Sequence, residues 1–325
     1  MHIDAIKARA PHSVKELYWH LLEAKRGRFL VREAAWQCVS RLPEFTITRA
    51  TRHGRFAFSS RDSTIGRWLF VTGAFEYDLI ERALDVASSA GYLAQKNEGA
   101  LLDIGANIGT VCVPLVMQRK FSRAIAVEPD PANYERLTGN IELNALRPRV
   151  TTFNCAVSSR AGSATMQLAP GNAGDRRVMA TCAAPPDDAM GEGSWKTIQV
   201  SVETIDDLVA RADLDPADIR LMWVDVQGHE KHVLEGAERV LRVSRAPVVM
   251  ELWPYALARA GVSADDLTLF LSSRFPIFFD LSEAEPQRLP ISALGSMFDR
   301  YAGLESTNLL LGPYVSASPN RRMSD

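Results

Sequence analysis

The residues with the clearest chemical character lie in LLDIGANIGTVCVPLV, residues 101–116. Asp103 ends a short apolar run, and Gly105 and Gly109 follow before the chain turns apolar again. Glycine lets a backbone come close to a ligand, and the N-terminus of the helix expected next favours negative charge. The order D-x-G-x-x-x-G is not the dinucleotide fingerprint G-x-G-x-x-G, and an Asp in the turn would repel a pyrophosphate. The turn instead suits a ligand that carries an ammonium or sulfonium group.

A second carboxylate follows one strand-helix-strand unit later. Glu128 ends the apolar run AIAVEP, and a carboxylate at that place typically accepts hydrogen bonds from a ribose diol. Together with the first turn, Glu128 describes a nucleoside that carries a cationic amino-acid arm. The sequence therefore predicts S-adenosylmethionine as the cofactor.

A third set of residues could carry the chemistry of a methyl transfer. The segment LMWVDVQGHEKHVLEGAERVL places Asp225 at the end of a strand and His229 at the start of the following helix. Transfer of a methyl group from a sulfonium to an alcohol is an in-line displacement in which the alcohol loses its proton. A histidine with a pKa near ~6.5 suits that task. We expect His229 to be the general base and Asp225 to orient the acceptor or the amine of the cofactor.

The same segment permits a metal site. Asp225, His229 and His232 form D-x-x-x-H-x-x-H, and side chains three positions apart share one face of a helix. A further ligand is not evident, although Glu251 ends the next strand. A metal is therefore kept as an alternative, and the first expectation is no metal.

Several other residues are candidates for the acceptor side of the site. Glu251 and Trp253, in MELWP, end the fifth strand on the same rim, where Trp253 either walls an acceptor pocket or packs in the core. Arg176, beside Arg177, could clamp a carboxylate or phosphate, or could be a solvated loop charge. Glu76, in GAFEYD, could reach the cofactor, and it equally suits the first turn of a helix.

Seven apolar runs from residue 99 onward must position these side chains. They alternate with helical stretches and read ALLDIG, AIAVEP, VTTFNCAV, LMWVDV, PVVMEL, PIFFDL and TNLLLG. Apolar runs without alternation are typical of strands buried on both faces, and their alternation with helices implies a parallel sheet. The predicted fold is α/β, with a doubly wound, seven-stranded, mostly parallel, Rossmann-like sheet. Ligands bind such sheets at the carboxyl ends of the strands.

The chain before and after this domain has a different pattern. Helical periodicity marks HSVKELYWHLLEAKRGRFL and residues 29–42, and FTITRATRHGRFAFSS predicts a hairpin. A further amphipathic helix is expected in FEYDLIERALDVASSAGY. We therefore divide the chain into a helical and hairpin extension, 1–60, a cofactor-binding domain, 61–315, and a disordered tail, 316–325. The extension would form a cap, an acceptor wall or a homodimer surface, and the long loop at 169–196 is a candidate lid.

Composition excludes several classes of partner. The 325 residues carry 37 basic and 39 acidic side chains, and no block of like charge indicates nucleic acid or a polybasic membrane surface. No apolar run approaches the ~20 residues of a membrane span. The four cysteines are far apart, which favours a reducing compartment over a disulfide framework. We expect a cytoplasmic protein whose partner is a small molecule.

Five segments, in order, resemble the FkbM-type methyltransferases, class I enzymes that use S-adenosylmethionine. They are DIGANIGT, VEPDPANYERLTGNIELN, NCAVSSRAGSATM, ETIDDL and VDVQGHEKHVLEGAERVL. The resemblance covers about residues 60–280. It implies the seven-stranded class I methyltransferase fold and methyl transfer, most often to an oxygen of a sugar, polyketide or other small acceptor.

The resemblance also implies roles for particular residues. The methionine arm would lie against Asp103, Gly105, Asn107 and Gly109. Glu128 would hold the ribose, and Asn154 and Ala156 would lie by the adenine. Two positions depart from the family, because Trp223 stands where many members carry Lys and Gln227 where many carry Glu. These departures leave the acceptor open.

Three alternatives to O-methylation remain at this point. Methylation of a carboxylate or a nitrogen is the nearest, and a carboxylate acceptor needs no general base. A protein that binds the cofactor without catalysis is the second. A nicotinamide oxidoreductase is the third, and the missing G-x-G-x-x-G counts against it.

Overall fold

A central eight-stranded sheet organises the computed structural model, which describes residues 27–93, 99–179 and 189–315. In chain order the strands are β1 (Thr46–Thr51), β2 (Gly54–Ser59), β3 (Ala100–Ile104), β4 (Arg123–Val127), β5 (Val150–Phe153), β6 (Ala156–Val157), β7 (Gly162–Leu168), β8 (Arg176–Val178), β9 (Lys196–Glu203), β10 (Ile219–Val224), β11 (Val248–Leu252), β12 (Ile277–Asp280), β13 (Arg288–Pro290) and β14 (Thr307–Leu311). The α-helices are α1 (27–39), α2 (Ile65–Val71), α3 (Tyr77–Ser89), α4 (Cys112–Met117), α5 (Pro131–Leu143), α6 (Ile205–Arg211), α7 (Glu230–Glu235), α8 (Glu238–Ser244), α9 (Pro254–Arg259), α10 (Ala264–Ser272) and α11 (Leu294–Arg300). Short 3-10 helices cover Glu192–Ser194, Pro216–Asp218 and Ile291–Ala293.

The strand order of the central sheet is β13-β12-β14-β11-β10-β3-β4-β5. The strands from β11 to β5 pair in parallel, whereas β14, β12 and β13 add antiparallel pairings at one side. All seven apolar runs form strands of this sheet, which confirms the predicted α/β class. The eighth strand, β13, is a short edge strand without a buried residue, so hydrophobic patterning did not indicate it.

The helix after β10 provides much of the core on one face of the sheet. Five apolar side chains of this segment are fully buried: Val233, Leu234, Ala237, Val240 and Leu241. The sequence predicted one helix here, but the structure divides it into α7 and α8 around Gly236. A Cβ atom on Gly236 would lie 2.2 Å from the carbonyl oxygen of Ser158. Close packing of two segments therefore requires the glycine.

A second, four-stranded sheet with the order β6-β9-β7-β8 was not predicted. The run VTTFNCAV, expected as one strand, divides between the two sheets as β5 and β6. Strand β9 alternates between exposed and buried residues, which is a weaker signal than a continuous apolar run. The segment 169–196, predicted as a long loop, contains β8, which pairs with β7. Residues 180–188 of that segment lie outside the described residues.

The N-terminal hairpin packs on the central domain. Strands β1 and β2 pair antiparallel, as predicted, and Phe56 and Phe58 of β2 are buried. The side-chain amide of Asn140, on α5, accepts from the backbone N–H of Ala57 at 2.7 Å and donates to its carbonyl at 3.2 Å. The helix expected over residues 29–42 ends at residue 39 as α1, and α3 lies where an amphipathic helix was expected. The helix predicted before residue 27 and the predicted tail fall outside the described residues.

Two general features bear on partners. None of the helices in the described ranges is long and apolar enough to cross a membrane. Cys112 and Cys155 are buried free thiols, and Cys38 is an exposed one. The fourth cysteine, Cys182, lies outside the described residues.

Candidate active site

The first glycine turn lies directly beside the end of β10. Strands β3 and β10 pair with Ile104 level with Val224, and the backbone N–H of Asp225 donates to the carbonyl of Ile104 at 2.9 Å. Gly105 has a φ of 85°, and a Cβ atom there would lie 1.8 Å from the carbonyl oxygen of Asp225. Only glycine fits this contact. The glycine therefore brings the first turn and the chain after β10 together.

Glu128 is fixed beside the same turn. Its Oε2 accepts from the backbone N–H of Asn107 at 2.9 Å, and its Oε1 accepts from that of Asp130 at 2.9 Å. Burial raises the pKa of Glu128 to about 8. A carboxylate oxygen has two lone pairs, so each oxygen can still accept one more hydrogen bond. The carboxylate is therefore oriented by the backbone and retains capacity for a diol.

Asn107 has an unsatisfied atom at this place. Its φ of 51° is left-handed, and its Nδ2 donates to the carbonyl of Ala173 at 2.7 Å. Its Oδ1 is buried and has no hydrogen-bond partner within the described residues. Because an unsatisfied buried acceptor is unfavourable, a ligand N–H or O–H would find a favourable partner here.

Two adjoining cavities meet at the first turn, and we name them the inner and outer chambers. The inner chamber is lined by residues that include Asn107, Glu128, Ala156, Met166, Asp225 and His229. The outer chamber has a volume of about 170 Å³, and its lining includes Glu76, Asn107, Trp223, Asp225, Gln227 and Glu251. Gly105, Asn107, Gly174, Asp225 and Gln227 belong to both linings. A ligand that extends past Gly105 would therefore occupy both chambers.

Carboxylates dominate the outer chamber. The Nε2 of Gln227 donates to Asp225 Oδ1 at 2.7 Å and to Glu251 Oε2 at 2.9 Å. The Oε1 of Glu251 also accepts from the hydroxyl of Ser306 at 2.9 Å. Burial, together with the charge of Asp225, holds the pKa of Glu251 well above its ordinary value, and burial also raises the pKa of Asp225. The chamber therefore offers a strongly negative environment whenever these groups are ionised.

Glu76 adds a third carboxylate to the outer chamber. It has a left-handed φ of 49° and precedes α3, yet its side chain makes no capping hydrogen bond. No hydrogen bond or ion pair of its carboxyl group occurs within the described residues. Burial, and then the charge of Asp225, raise the pKa of Glu76 to about 7. Of the two alternatives for Glu76, its position in the chamber lining favours contact with a ligand over helix capping.

Asp103 and Gly109 support the first turn from outside the two chamber linings. The Oδ2 of Asp103 accepts from the backbone N–H of Cys112 at 3.0 Å, and Asp103 is buried outside both chamber linings. A Cβ atom on Gly109 would lie 3.0 Å from Val113 Cγ2 and 3.1 Å from Leu137 Cδ1. Asp103 and Gly109 thus make contacts that hold the helix start, and their contact with a methionine arm stays a prediction.

Asn154 and Ala156, expected by the adenine, differ in position. Ala156 lines the inner chamber, as does its neighbour Cys155. The Nδ2 of Asn154 instead donates to the carbonyl of Glu128 at 2.8 Å and to that of Pro129 at 3.1 Å. Asn154 therefore fixes the loop that follows β4 and is outside the lining of the chamber.

His229 lies on the inner side of the site. Its Nε2 is 3.0 Å from the hydroxyl oxygen of Ser158, and its ring stacks on that of His232 with centroids 4.4 Å apart. Burial, and then the neighbouring His232, lower the pKa of His229 to about 3, so the ring is neutral near pH ~7. His229 does not line the outer chamber. This position does not support the expected role as general base for an acceptor.

The predicted acceptor residues Trp253 and Arg176 have structural contacts. Trp253 packs under the guanidinium of Arg177, 4.5 Å from its ring centroid, and lines neither chamber. Its absence from both linings and its contact with Arg177 favour the packing alternative, and a role as an acceptor wall stays a prediction. Arg176 lines the inner chamber, but its Nε donates to Asp130 Oδ2 at 2.6 Å and its Nη1 donates to the carbonyl of Asn172 at 2.7 Å. It therefore holds the chamber wall and does not form an open clamp.

The metal alternative finds little support from these positions. Asp225 is bonded to Gln227, whereas His229 and His232 stack on each other. Within residues 27–93, 99–179 and 189–315, no three His, Cys, Asp or Glu side chains are grouped to hold a metal.

Sequence reasoning missed the contribution of the antiparallel strand β14. Asn308 lies level with Glu251 in the pairing of β14 with β11 and lines the outer chamber, and Ser306 binds Glu251. No local pattern marks these residues, because the pairing that brings them to the site joins distant parts of the chain. The bridging role of Gln227 was also missed, although its departure from the family was noted.

Comparison with known proteins agrees with this geometry. The family model described as "Methyltransferase FkbM domain" matches residues 103–274, just over half of the chain. The 2-O-methyltransferase NoeI of Sinorhizobium fredii is 30% identical over 47% of this chain and 63% of its own length. The hexuronic acid methyltransferase AglP of Haloferax volcanii is 28% identical over 61% of this chain and 68% of its own.

A solved structure of methyltransferase FkbM from Methylobacillus flagellatus is also similar, with 20% identity and a TM-score of 0.41, over 68% of this chain and 45% of that one. The chain thus spans less than two thirds of NoeI and under half of the M. flagellatus protein. On the match to the family model, the chain belongs to the FkbM methyltransferase family.

Proposed function

We propose that the protein is an S-adenosylmethionine-dependent methyltransferase that acts on a hydroxyl group of a small molecule. One observation carries this proposal: the inner chamber, with Glu128, opens at Gly105 into an outer chamber lined by Glu76, Asp225 and Glu251. When bound, S-adenosylmethionine supplies an electrophilic methyl group on a sulfonium. The chambers would hold its nucleoside and its methionine arm on either side of Gly105.

The residues present fit this cofactor. The carboxylate of Glu128, oriented by two backbone N–H groups, retains lone pairs that can accept from the ribose hydroxyls. The carboxylates of Asp225 and Glu251 have no cationic partner within the described residues, and a ligand with an ammonium and a sulfonium would supply one. Asn107 lines both chambers, and its Oδ1 is an unsatisfied buried acceptor within the described residues.

The chain's own residues would then orient the acceptor and take its proton. The outer chamber is the side from which an acceptor oxygen could approach the methyl group in line, and alignment supplies much of the rate of such displacements. An alcohol also needs a base, and a buried carboxylate with a pKa near the working pH is suitable. That an oxygen is the acceptor is supported by the name of NoeI, a 2-O-methyltransferase.

N-methylation is a second candidate, because the acidic outer chamber would also attract a protonated amine. Formation of S-adenosylhomocysteine with matched alcohol and amine acceptors distinguishes the two reactions. Binding of cofactor without turnover of any acceptor would instead indicate the non-catalytic alternative.

We further propose a cytoplasmic enzyme with a small-molecule acceptor and no nucleic-acid partner, in which the N-terminal extension contributes an acceptor wall or a homodimer surface. The near-neutral charge balance supports the absence of a nucleic-acid partner. Light scattering on the purified chain would measure the oligomeric state.

Titration calorimetry with S-adenosylhomocysteine tests the cofactor site. We expect micromolar binding to the wild type and at least ~10-fold weaker binding to Glu128→Gln, about 1.4 kcal/mol. Glu142→Gln, an exposed carboxylate on α5, is the control and should bind like the wild type. Folded wild-type protein that binds no S-adenosylhomocysteine would overturn the proposal.

A further inference from the structure

A large groove adjoins the outer chamber on the side of the N-terminal hairpin. It has a volume of about 900 Å³, and its lining includes Arg49, Arg52, Trp68, Thr72, Phe75 and Glu76. Phe75 and Glu76 also line the outer chamber, whose volume is about 170 Å³. The groove therefore shares these two residues with the outer chamber, and its larger volume can hold most of an acceptor.

The side chains of the groove combine an aromatic face with polar groups. Trp68 is 41% exposed although it is a large apolar side chain on α2. The Nε of Arg52 donates to His53, whereas its Nη1 and Nη2 have no hydrogen-bond partner in the described part of the chain. An exposed indole beside donor and acceptor groups suits a ring that has one apolar face and several hydroxyls.

The groove is held in shape by the hairpin. The guanidinium of Arg49, on β1, donates to the carbonyls of Leu69 and Phe70, at the end of α2. Arg49 thus joins the hairpin to α2. The guanidinium of Arg52 can still donate hydrogen bonds to a ligand. The extension, whose purpose the sequence left open, forms one wall of this groove.

Glu76 lies where the groove meets the outer chamber. Asp225 and Glu251 are bonded by Gln227, and Glu251 also by Ser306, whereas the carboxyl group of Glu76 has no such partner within the described residues. Its left-handed φ of 49° is uncommon for a glutamate, and such conformations cluster at functional sites. A pKa raised to about 7 also suits a base near neutral pH.

We propose that this groove binds the methyl acceptor, a polyhydroxylated ring whose apolar face packs on Trp68, and that Glu76 takes the proton of the reacting hydroxyl. The inference rests on the proposed function. In the reaction the acceptor oxygen forms a bond to the methyl carbon while the bond from that carbon to sulfur breaks. The sulfur keeps the electron pair, and the hydroxyl proton passes to a carboxylate oxygen of Glu76.

The binding part is tested with two probes, p-nitrophenyl β-glucoside and p-nitrophenyl β-glucuronide. Saturation-transfer NMR on the full chain with S-adenosylhomocysteine present should show transfer to the sugar ring protons of at least one probe. Trp68→Ala should weaken that binding at least ~10-fold. The loss of a ring that packs on an aromatic side chain commonly lowers affinity by about that factor. Leu269→Ala, which truncates another exposed apolar residue, is the control and should leave binding unchanged.

The catalytic part is tested with Glu76→Gln, and Glu81→Gln on the same helix is its control. Glu76→Gln should keep the affinities for S-adenosylhomocysteine and for the sugar within about 3-fold, while the rate of methyl transfer falls at least ~100-fold. Glu81→Gln should match the wild type in all three measurements.

Each contrary result would overturn a different part of the proposal. Wild-type protein that binds S-adenosylhomocysteine but neither binds nor methylates either sugar would overturn the acceptor assignment and leave the proposed function intact. Absence of S-adenosylhomocysteine binding would overturn the proposed function itself. Transfer by Glu76→Gln at a rate within about 3-fold of wild type would show that Glu76 is not the base.

Discussion

The side-chain amide of Gln227 donates to the carboxylate of Glu251 at 2.9 Å. The same nitrogen donates to Asp225 at 2.7 Å, so one neutral amide joins two partly buried carboxylates that repel each other. Gln227 has a left-handed φ of 56°, which is part of the turn that brings its side chain to both. This bridge lowers the free-energy cost of placing two acidic side chains side by side in the wall of the outer chamber.

Gln227→Glu replaces the donor with a third acid. In the folded protein the new carboxyl group would be half-buried beside Asp225 and Glu251, so its pKa should be raised above the unfolded value. The folded state would then bind the extra proton, and the stability of the variant relative to the wild type should fall as pH rises. We expect a larger deficit in Tm at about pH 8 than at about pH 6.

Differential scanning calorimetry at the two pH values measures this effect. Gln199→Glu, on the exposed side of β9, provides the control and should show little change at either pH. A deficit that shrinks as pH rises would show that the folded protein favours the ionised form of the introduced carboxyl group.

Gly105→Ala should disrupt the junction of the two chambers. The φ of 85° is unfavourable for alanine, at a cost of about 1–3 kcal/mol, and the new Cβ atom would meet the carbonyl oxygen of Asp225 at 1.8 Å. Gly139→Ala is the matched control, because nothing lies within 4 Å of a Cβ atom there and the residue is within α5. We expect it to stabilise the protein by about 0.5–1 kcal/mol. Urea unfolding measures the stability of both variants. Equal stabilities would contradict the close contact between residue 105 and the carbonyl oxygen of Asp225.

Acidic groups with raised pKa values predict how stability depends on pH. Burial raises the pKa of Asp103 and Glu230 to about 7 and that of Glu128 to about 8. Unfolded carboxyl groups titrate near ~4, so the folded state binds more protons between ~4 and 8. Stability should therefore be highest at the acidic end of this window and be lost as pH rises through 7 to 8.

Thermal unfolding without ligand should give a lower Tm at about pH 8.5 than at about pH 6. Glu128→Gln should reduce the slope, because it removes the group with the highest of these pKa values, whereas Glu142→Gln should leave the slope unchanged. A Tm that increases across this range would mean that the folded protein stabilises these carboxylates in their ionised form.

A buried ion pair connects the two ends of the segment 169–196. Arg177 donates to both oxygens of Asp175, at 2.7 and 2.8 Å, and to Glu192 Oε1 at 2.8 Å, and all three side chains are at most 5% exposed. Glu192 also pairs with Arg259 at 3.3 Å. Because Asp175 would lose its cation, Arg177→Met should cost about 3–5 kcal/mol.

Urea unfolding of Arg177→Met against Arg211→Met checks this value. Arg211 forms a partly exposed pair with Glu203, so its replacement should cost less than about 1 kcal/mol. Similar losses of unfolding free energy in the two variants would show that burial does not increase the contribution of the Arg177 ion pair to stability.

The strands of the central sheet could be predicted because their signal is local. A run such as ALLDI is buried at every position, so its composition alone indicates a strand covered on both faces. The paired strands β7 and β9 were missed because neither is a continuous apolar run and both include small polar side chains. The close approach of Gly236 to Ser158 could not be predicted because Ser158 lies far away in the chain.

The sequence by itself determined the fold class, the glycine turn, the carboxylate at Glu128 and the family, since each depends on residue types at short spacing. Only the tertiary structure decided which acids line the two chambers. Asp103 is turned to the start of α4, and Glu76 and Glu251 line the outer chamber with Asp225. The physical reason is that side-chain direction depends on strand register and on packing between distant segments. These are set by the whole core and have no trace in the spacing of a motif.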